Sequence, residues 1–332
     1  MTTQAAATTP PQTLGRRVVQ ILGSVNPLIY AFLILFVVLA LGSDRFLSLN
    51  NQMNITRQVA VYLIIALGQT FVIASKGIDL SVGSTLGLVG CLMAAMIQLG
   101  GVPVPLAIVA AIAMGAAIGS VNGLIITRLN VPPLIATLGM MVALRGIVHI
   151  YMQSNAFVRL PPSLVFLGQG FVGPVPVPAL ISLGMVVFAW WLYVHTRFGR
   201  YTASIGSNEG ACRLGGIKVD RTKVMVYAFQ GAMVGLAAAV MVGRLNAASP
   251  TLGLNYELHI IAAVVLGGTS LVGGIGTIVG TLFGILTIGV LENGMVLVGA
   301  DFHTQRVLIG ALLIGAVAYQ GYRHRRRGAL EA

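Results

Sequence analysis

The stretch His195-Thr196-Arg197-Phe198-Gly199-Arg200-Tyr201-Thr202-Ala203-Ser204-Ile205-Gly206-Ser207-Asn208-Glu209-Gly210-Ala211-Cys212-Arg213-Leu214-Gly215-Gly216-Ile217-Lys218-Val219-Asp220-Arg221-Thr222-Lys223 carries eight of the chain's 28 Asp, Glu, Lys and Arg residues. On either side, runs such as Pro27 to Gly42 and Pro103 to Thr127 contain no charge at all. A chain of 332 residues that is 57% apolar and only 8% charged is not an ordinary soluble protein. The contrast between island and flanks sets the fold class: all-α, a polytopic bundle of transmembrane helices.

Within the island, Asn208 suits a helix N-cap, Glu209 suits the positive end of the helix dipole, and Gly215-Gly216 suits the end of a helix of about two turns. A small helix on a basic loop between membrane spans is a docking element. The alternative is a basic loop that obeys the positive-inside rule and binds nothing. The net charge of +12 does not point to nucleic acid, because the basic residues lie between apolar runs and at the ends rather than in a folded patch. Cys91 in an apolar run and Cys212 on the island fit neither a disulfide framework nor a metal site and read as packing residues.

A helix needs about 20 apolar residues to cross the hydrocarbon core, and fewer inside a bundle. Ten spans fit, near 27–43, 58–75, 82–99, 103–127, 133–152, 177–195, 224–243, 257–269, 276–294 and 306–321. The stretches 131–152 and 257–276 are interrupted by Pro or Gly and suit half-helices or re-entrant turns, so the expected count is eight to ten. The first run also has a small-x-small pattern at Ala40-Leu41-Gly42, as at a signal-peptide cleavage site. Its length and late start favour an uncleaved span. With Arg16 and Arg17 inside, fourteen Lys and Arg lie on the inner side and six on the outer side. The expected organisation is a flexible cytoplasmic tail at 1–26, a transmembrane domain at 27–321 holding the loop 195–223, and a basic cytoplasmic tail at 322–332.

Gly77 to Leu88 aligns with Gly274 to Ile285 at five identical positions in twelve. Transporters are often built from repeats, although glycine-rich composition alone also produces such echoes. Gly83 and Gly87, and again Gly276, Gly280 and Gly284, recur every four residues, a spacing that lets transmembrane helices approach closely.

No enzyme chemistry is visible. The five histidines have no ligand spacing, HExxH and GxSxG are absent, and none of the three lysines completes a GxxxxGK[ST] phosphate loop. If ATP drives transport, it binds a different chain. The acids fall near span boundaries except Glu292, read as structural or as a coupling site, and this poverty of embedded charge favours a neutral substrate. Asp79 can cap the helix starting near Ser81, and the turn containing Gly77, Asp79 and Ser81 also suits an inner-surface contact or gate. Arg145 reads as an outer-face anchor or a contact for an external partner. Gln69, Asn122, Thr137 and Asn293 read as interhelical hydrogen-bonding residues or as the lining of a polyol pathway.

The run Ala66-Leu67-Gly68-Gln69-Thr70-Phe71-Val72-Ile73, continued through Gly77-Ile78-Asp79-Leu80-Ser81-Val82-Gly83-Ser84, resembles the membrane subunits of ribose-type sugar ABC importers. Further matches are Asn122-Gly123, Ala136-Thr137-Leu138-Gly139-Met140-Met141 with Arg145-Gly146, Thr196-Arg197-Phe198-Gly199-Arg200, the segment from Gly206-Ser207-Asn208-Glu209 to Gly216-Ile217, and Val264-Val265-Leu266-Gly267-Gly268-Thr269-Ser270 with Gly273-Gly274. The likeness covers roughly 50–320. It implies a bacterial inner-membrane permease with both termini cytoplasmic and a fold similar to that of the cobalamin importer. It also implies a homodimer, or a pseudo-dimer with a second permease, surrounded by lipid. A periplasmic sugar-binding protein would deliver the solute, and a cytoplasmic ABC ATPase would bind the ATP, so the chain itself needs no cofactor. On that view Asn208, Glu209, Arg213, Gly215 and Gly216 form the coupling helix that sits on the ATPase.

The chain departs from the family pattern at Lys76, where glycine is usual, at His259, where an acid is common, and at Glu292, where a small or amide residue is usual. No substrate or gating role is carried over to those three positions. The reading is therefore a sugar permease working by alternating access. The alternatives are an ABC permease for a nucleoside or branched-chain amino acid, a stand-alone secondary transporter or channel, and a membrane scaffold.

Overall fold

The structure, a computed structural model, describes residues 27–318 apart from 154, 302, 313 and 316. The expected tails at 1–26 and 322–332 lie outside the described residues. The elements in chain order are α1 (Pro27–Gly42), α2 (Leu49–Ala74), α3 (Val82–Gln98), α4 (Val104–Arg128), α5 (Pro133–Met152), β1 (Phe157–Val158), α6 (Pro162–Gln169), β2 (Phe171–Val172), β3 (Val175–Pro176), α7 (Val177–His195), α8 (Arg197–Ser207), α9 (Glu209–Leu214), α10 (Val219–Leu245), β4 (Ala247–Ala248), α11 (Tyr256–Leu266) and α12 (Ile278–Leu297). A further helical stretch begins at residue 303.

The helix starts follow from local chemistry. Proline occupies one of the first two positions of α4, α5, α6 and α7, where its missing N–H costs nothing and its fixed φ already suits a helix. Ser48 caps α2 by accepting from the Asn51 N–H. Helices α2, α4, α5, α7, α10 and α12 are long and apolar enough to cross a membrane, whereas α1, α3 and α11 are shorter apolar helices. Outward-facing Leu106, Val109, Leu124, Val142, Leu183 and Val187 on α4, α5 and α7 are exposed, as suits a bilayer rather than water. The all-α polytopic bundle expected from the sequence is the architecture observed, with only two antiparallel pairs of two-residue strands among the described residues, β1–β4 and β2–β3.

The centre of the bundle is α2, buried continuously from residue 59 to 74, with α10 packed beside it. The most extensive helix contact is α10 on α4. A Cβ placed on Gly231 would lie 1.9 Å from the Gly115 carbonyl oxygen, and one on Gly119 would lie 2.0 Å from that of Tyr227. Backbones therefore touch where side chains would hold them apart. The glycine rows expected from spacing also pack: Gly83 and Gly87 face the carbonyls of Gly253 and Leu252, and Gly280 and Gly284 face those of Gly267 and Ala263.

The interrupted stretch 257–276 contains a half-length helix. With 11 residues, α11 is about 16 Å long, too short for a hydrocarbon core of about 30 Å. The Tyr256 ring meets that of Tyr62 edge-on at 4.7 Å, and Tyr62 lies halfway along α2. After α10 the chain folds back into the bundle through residues 246–255, and α11 starts at mid-depth. Glu257 is consequently not at an outer helix end as the span assignment had it. One of its carboxylate oxygens lies buried beside Gly83.

The two segments of the internal echo begin close to one another. The Gly274 N–H donates to the Ala74 carbonyl at 2.9 Å, and each segment is a turn leading into a helix, α3 at Val82 and α12 at Ile278. Gly206 at the end of α8 is wedged against the same two backbone groups, since a Cβ there would lie 1.9 Å from the Ala74 oxygen and 2.5 Å from the Gly274 nitrogen. The polar island thus rests directly on the backbone at the end of α2 and in the turn before α12.

Candidate functional site: a braced docking helix

The island folds as α8, α9 and the first turn of α10. Thr196 caps α8 by accepting from the Gly199 N–H at 3.3 Å. Asn208 caps α9, its Oδ1 accepting from the Ala211 N–H at 2.9 Å. After Leu214 the helix closes through Gly215, whose N–H donates to the Ala211 carbonyl at 2.9 Å, and through Gly216, whose φ of +79° is a conformation that favours glycine. Ile205, Cys212 and Val219 form a small apolar cluster with Ile217 beneath the turn, which accounts for Cys212 as a packing residue.

Charges complete the brace. Arg213 Nη2 lies 3.0 Å from Glu209 Oε1 and 2.6 Å from Asp220 Oδ1, and Lys223 Nζ lies 2.6 Å from Glu209 Oε2. Partial burial of Glu209 pushes its pKa upward, but the hydrogen bonds and charges of Lys223 and Arg213 outweigh it and hold the carboxyl below its ordinary value. The Asp220 and Glu209 carboxylates raise Arg213 in turn. Because these four groups satisfy one another, the helix offers little unpaired charge to a partner. It offers Leu214, which is 93% exposed on the polar end of the bundle. Beside the helix, Asn130, Val131, Pro132 and Pro133 of the α4–α5 corner and the four charged residues line a cleft of about 200 Å³.

The turn before α3 is a second, buried polar assembly. Asp79 Oδ1 accepts from the Ser81 N–H at 2.8 Å and from its hydroxyl at 2.6 Å, and Asn122 donates to the Ser81 hydroxyl at 2.9 Å. The Ile78 carbonyl accepts from Thr137 at 3.1 Å and from the Tyr227 hydroxyl at 3.4 Å. A Cβ on Gly77 would lie 2.5 Å from that hydroxyl. Asn122 and Thr137 therefore fasten this turn to α4 and α5. Gln69 accepts from Gln230 at 3.1 Å, and Asn293 exchanges two hydrogen bonds with Asn51 at 2.8 and 2.9 Å. Gln69, Asn122 and Thr137 have no exposure, so no solute touches them in this conformation. Arg145 points into the bundle, donating to the carbonyls of Pro250 and Leu252 at 2.9 and 3.1 Å and holding the folded-back segment.

Sequence reasoning found the cap, the helix and its glycine stop. It did not find Asp220 and Lys223 as part of the same assembly, or the exposure of Leu214. Lys223 lies 14 residues from Glu209 across a turn, a spacing without a signature. Among the described residues no group of three His, Cys, Asp or Glu stands ready to hold a metal.

A polytopic helical bundle that presents one short, internally braced helix beside its basic loop has the build of a membrane permease that works with a partner. The chain belongs to the family described as branched-chain amino acid transport system / permease component, matched over residues 51–317. It is 42% identical over 291 residues to the ribose import permease protein RbsC of Escherichia coli (strain K12), covering 86% of this chain and 90% of that protein. It is 44% identical over 286 residues to RbsC of Bacillus subtilis (strain 168), covering 86% and 88%. It is 34% identical over 316 residues to the galactose/methyl galactoside import permease protein MglC of E. coli K12, covering 89% and 93%. No solved structure matches the chain at a significant level.

Proposed function

We propose that this chain is the membrane-spanning permease subunit of an ATP-driven importer that passes a monosaccharide from a periplasmic binding protein to the cytoplasm by alternating access. The observation that carries this reading is identity of 42–44% to ribose import permeases along nearly their whole length, with galactose import permeases next. ATP hydrolysis belongs to a separate ATPase, since the chain has no phosphate loop. The α9 helix is the element that meets that ATPase. Helix α8, joined to α9 at Asn208, rests through Gly206 on the last residue of α2 and on the turn before α12, so displacement of the island reaches two bundle helices by backbone contact. The subunit works in the inner membrane with a second permease copy, both termini and the α9 end cytoplasmic. A branched-chain amino acid, named in the family description, is the second substrate reading and is not favoured, since the relatives matched along most of their length are ribose and galactose import permeases.

The test is purification of the chain with the ATPases of its own membranes, followed by ATPase assays with candidate binding proteins. Stimulation by a sugar-loaded binding protein supports the proposal. Stimulation by an amino-acid-loaded one selects the second reading. Uptake that persists without any ATPase overturns both.

A further inference from the structure

His259 lies in the first turn of α11, at the middle of the bundle, with its ring stacked 6.0 Å from that of Tyr62. Both ring nitrogens face oxygen. Nδ1 is 2.8 Å from the Asn255 carbonyl, and Nε2 is 3.0 Å from Oε1 of Glu292 on α12. A carbonyl oxygen has no proton to give, so Nδ1 carries one and donates it. A neutral imidazole protonated at Nδ1 would then turn a lone pair on Nε2 toward the carboxylate, which repels. The 3.0 Å contact requires a second proton between them. The other carboxylate oxygen of Glu292 accepts from Gln58 Nε2 at 2.7 Å and so carries no proton itself. Imidazole is the stronger base of the two, with a free value of about 6.5 against about 4.3 for glutamate, which puts the shared proton on Nε2.

We propose that His259 and Glu292 hold one shared proton as an imidazolium–carboxylate pair, a buried proton site that fastens the half-length α11, and the segment folded back before it, to α12 and α2. The groups that face it are few. Tyr62 on α2 and Tyr256 on α11 flank it, and Arg244 on α10 acts on those two tyrosines. Glu257 on α11 also faces it, and Arg145 on α5 faces Glu257. Helix α3, which also packs on α11, contributes no charged residue. Loss of the proton leaves a lone pair against a carboxylate that is 9% exposed, so α11 is released from its neighbours as pH rises. This inference does not depend on the nature of the transported solute or on the ATPase.

The experiment uses the full chain in lipid nanodiscs, with thermal denaturation midpoints measured from about pH 5.5 to about pH 9. Free imidazole loses its proton near pH 6.5, so above that range the unfolded chain releases a proton that the folded pair keeps, and folding becomes progressively less favourable. The wild-type midpoint is expected to fall across this window, with the folding equilibrium changing by up to about tenfold per pH unit. Glu292→Gln offers an amide N–H to the imidazole lone pair and needs no extra proton, so its midpoint should lose that slope. A flat wild-type profile, or the same slope in Glu292→Gln, overturns the proposal. If that variant does not insert, nitrogen-15 histidine spectra of the wild-type chain decide. At about pH 8 one histidine should carry protons on both nitrogens, and a spectrum without such a histidine overturns the proposal.

Discussion

Lys223 and Glu209 meet at 2.6 Å across the Gly215–Gly216 turn, tying the first turn of α9 to the first turn of α10. The pair makes the orientation of the exposed helix a property of a membrane-spanning one, since α10 runs from this contact through the bundle to Leu245. The contact links α9 to α10 directly, in addition to the Gly215–Lys218 turn that joins them along the chain.

Breaking that contact should therefore harm coupling more than stability. The Lys223–Glu209 pair is partly exposed and worth less than about 1 kcal/mol after screening. Glu209→Lys is expected to insert at wild-type levels and to lose most binding-protein-stimulated ATPase activity. Adding Lys223→Glu restores opposite charges and should recover part of it. A double variant as inactive as the single one would show that the pair does not orient α9.

Acid should act through the same carboxylate. Glu209 titrates below its ordinary value in the folded chain, so its contribution is complete above the usual glutamate range, about pH 4.3, and is lost as pH falls through its lowered folded value. Hydrogen exchange across 209–223 should be flat from neutral pH to about pH 5, after correction for intrinsic rates, and should accelerate only in stronger acid. In Glu209→Gln the acid step should be missing.

On the proposed function, Leu214 is the apolar anchor that α9 offers to the ATPase. At 93% exposure it supports nothing within the chain, so Leu214→Asp should change stability by no more than about 0.5 kcal/mol. Co-purification of the ATPase should fall at least tenfold, because a desolvated apolar anchor at the centre of an interface contributes about 2 kcal/mol or more. Retention of the ATPase at wild-type yield would move the interface elsewhere on the island.

The α4–α10 seam should reject even one methyl group. In Gly231→Ala the new Cβ has the Gly115 carbonyl 1.9 Å away and backbone on both sides, so the helices must separate, at a cost of about 1–3 kcal/mol. Gly139→Ala on the open face of α5 meets nothing within 4 Å and serves as the control. Thermal midpoints of the two variants in lipid nanodiscs test the difference.

Arg145 should matter for the folded-back segment. Arg145→Ala leaves the Pro250 and Leu252 carbonyls without their donor, at about 1–3 kcal/mol for each one that stays buried. A cysteine placed at Ser249 should react faster with a membrane-impermeant maleimide in that background than in wild type. Equal rates would mean that another contact holds the segment.

The sequence by itself determined the class and much of the outline. The charge desert broken at 195–223 fixed a polytopic helical bundle, because a bilayer leaves few alternatives to uncharged helices. Asn208 and Gly215-Gly216 bounded α9, because caps and stops act within a turn of the residues that make them. The glycines at 83, 87, 280 and 284 announced close contacts by their spacing. Other relationships needed the fold. Glu209 with Lys223, Asn122 with Ser81, Arg145 with the Pro250 and Leu252 carbonyls, and His259 with Glu292 are pairs whose partners lie between 14 and 107 positions apart. The depth at which α11 begins was also hidden. An apolar run of 11 residues reads the same whether it borders water or starts at mid-membrane, and only the path of residues 246–255 back into the bundle decides between them. Local chemistry operates over one helical turn and is written in the order of residues; the partner of a buried charge is chosen by which helices the whole chain brings together.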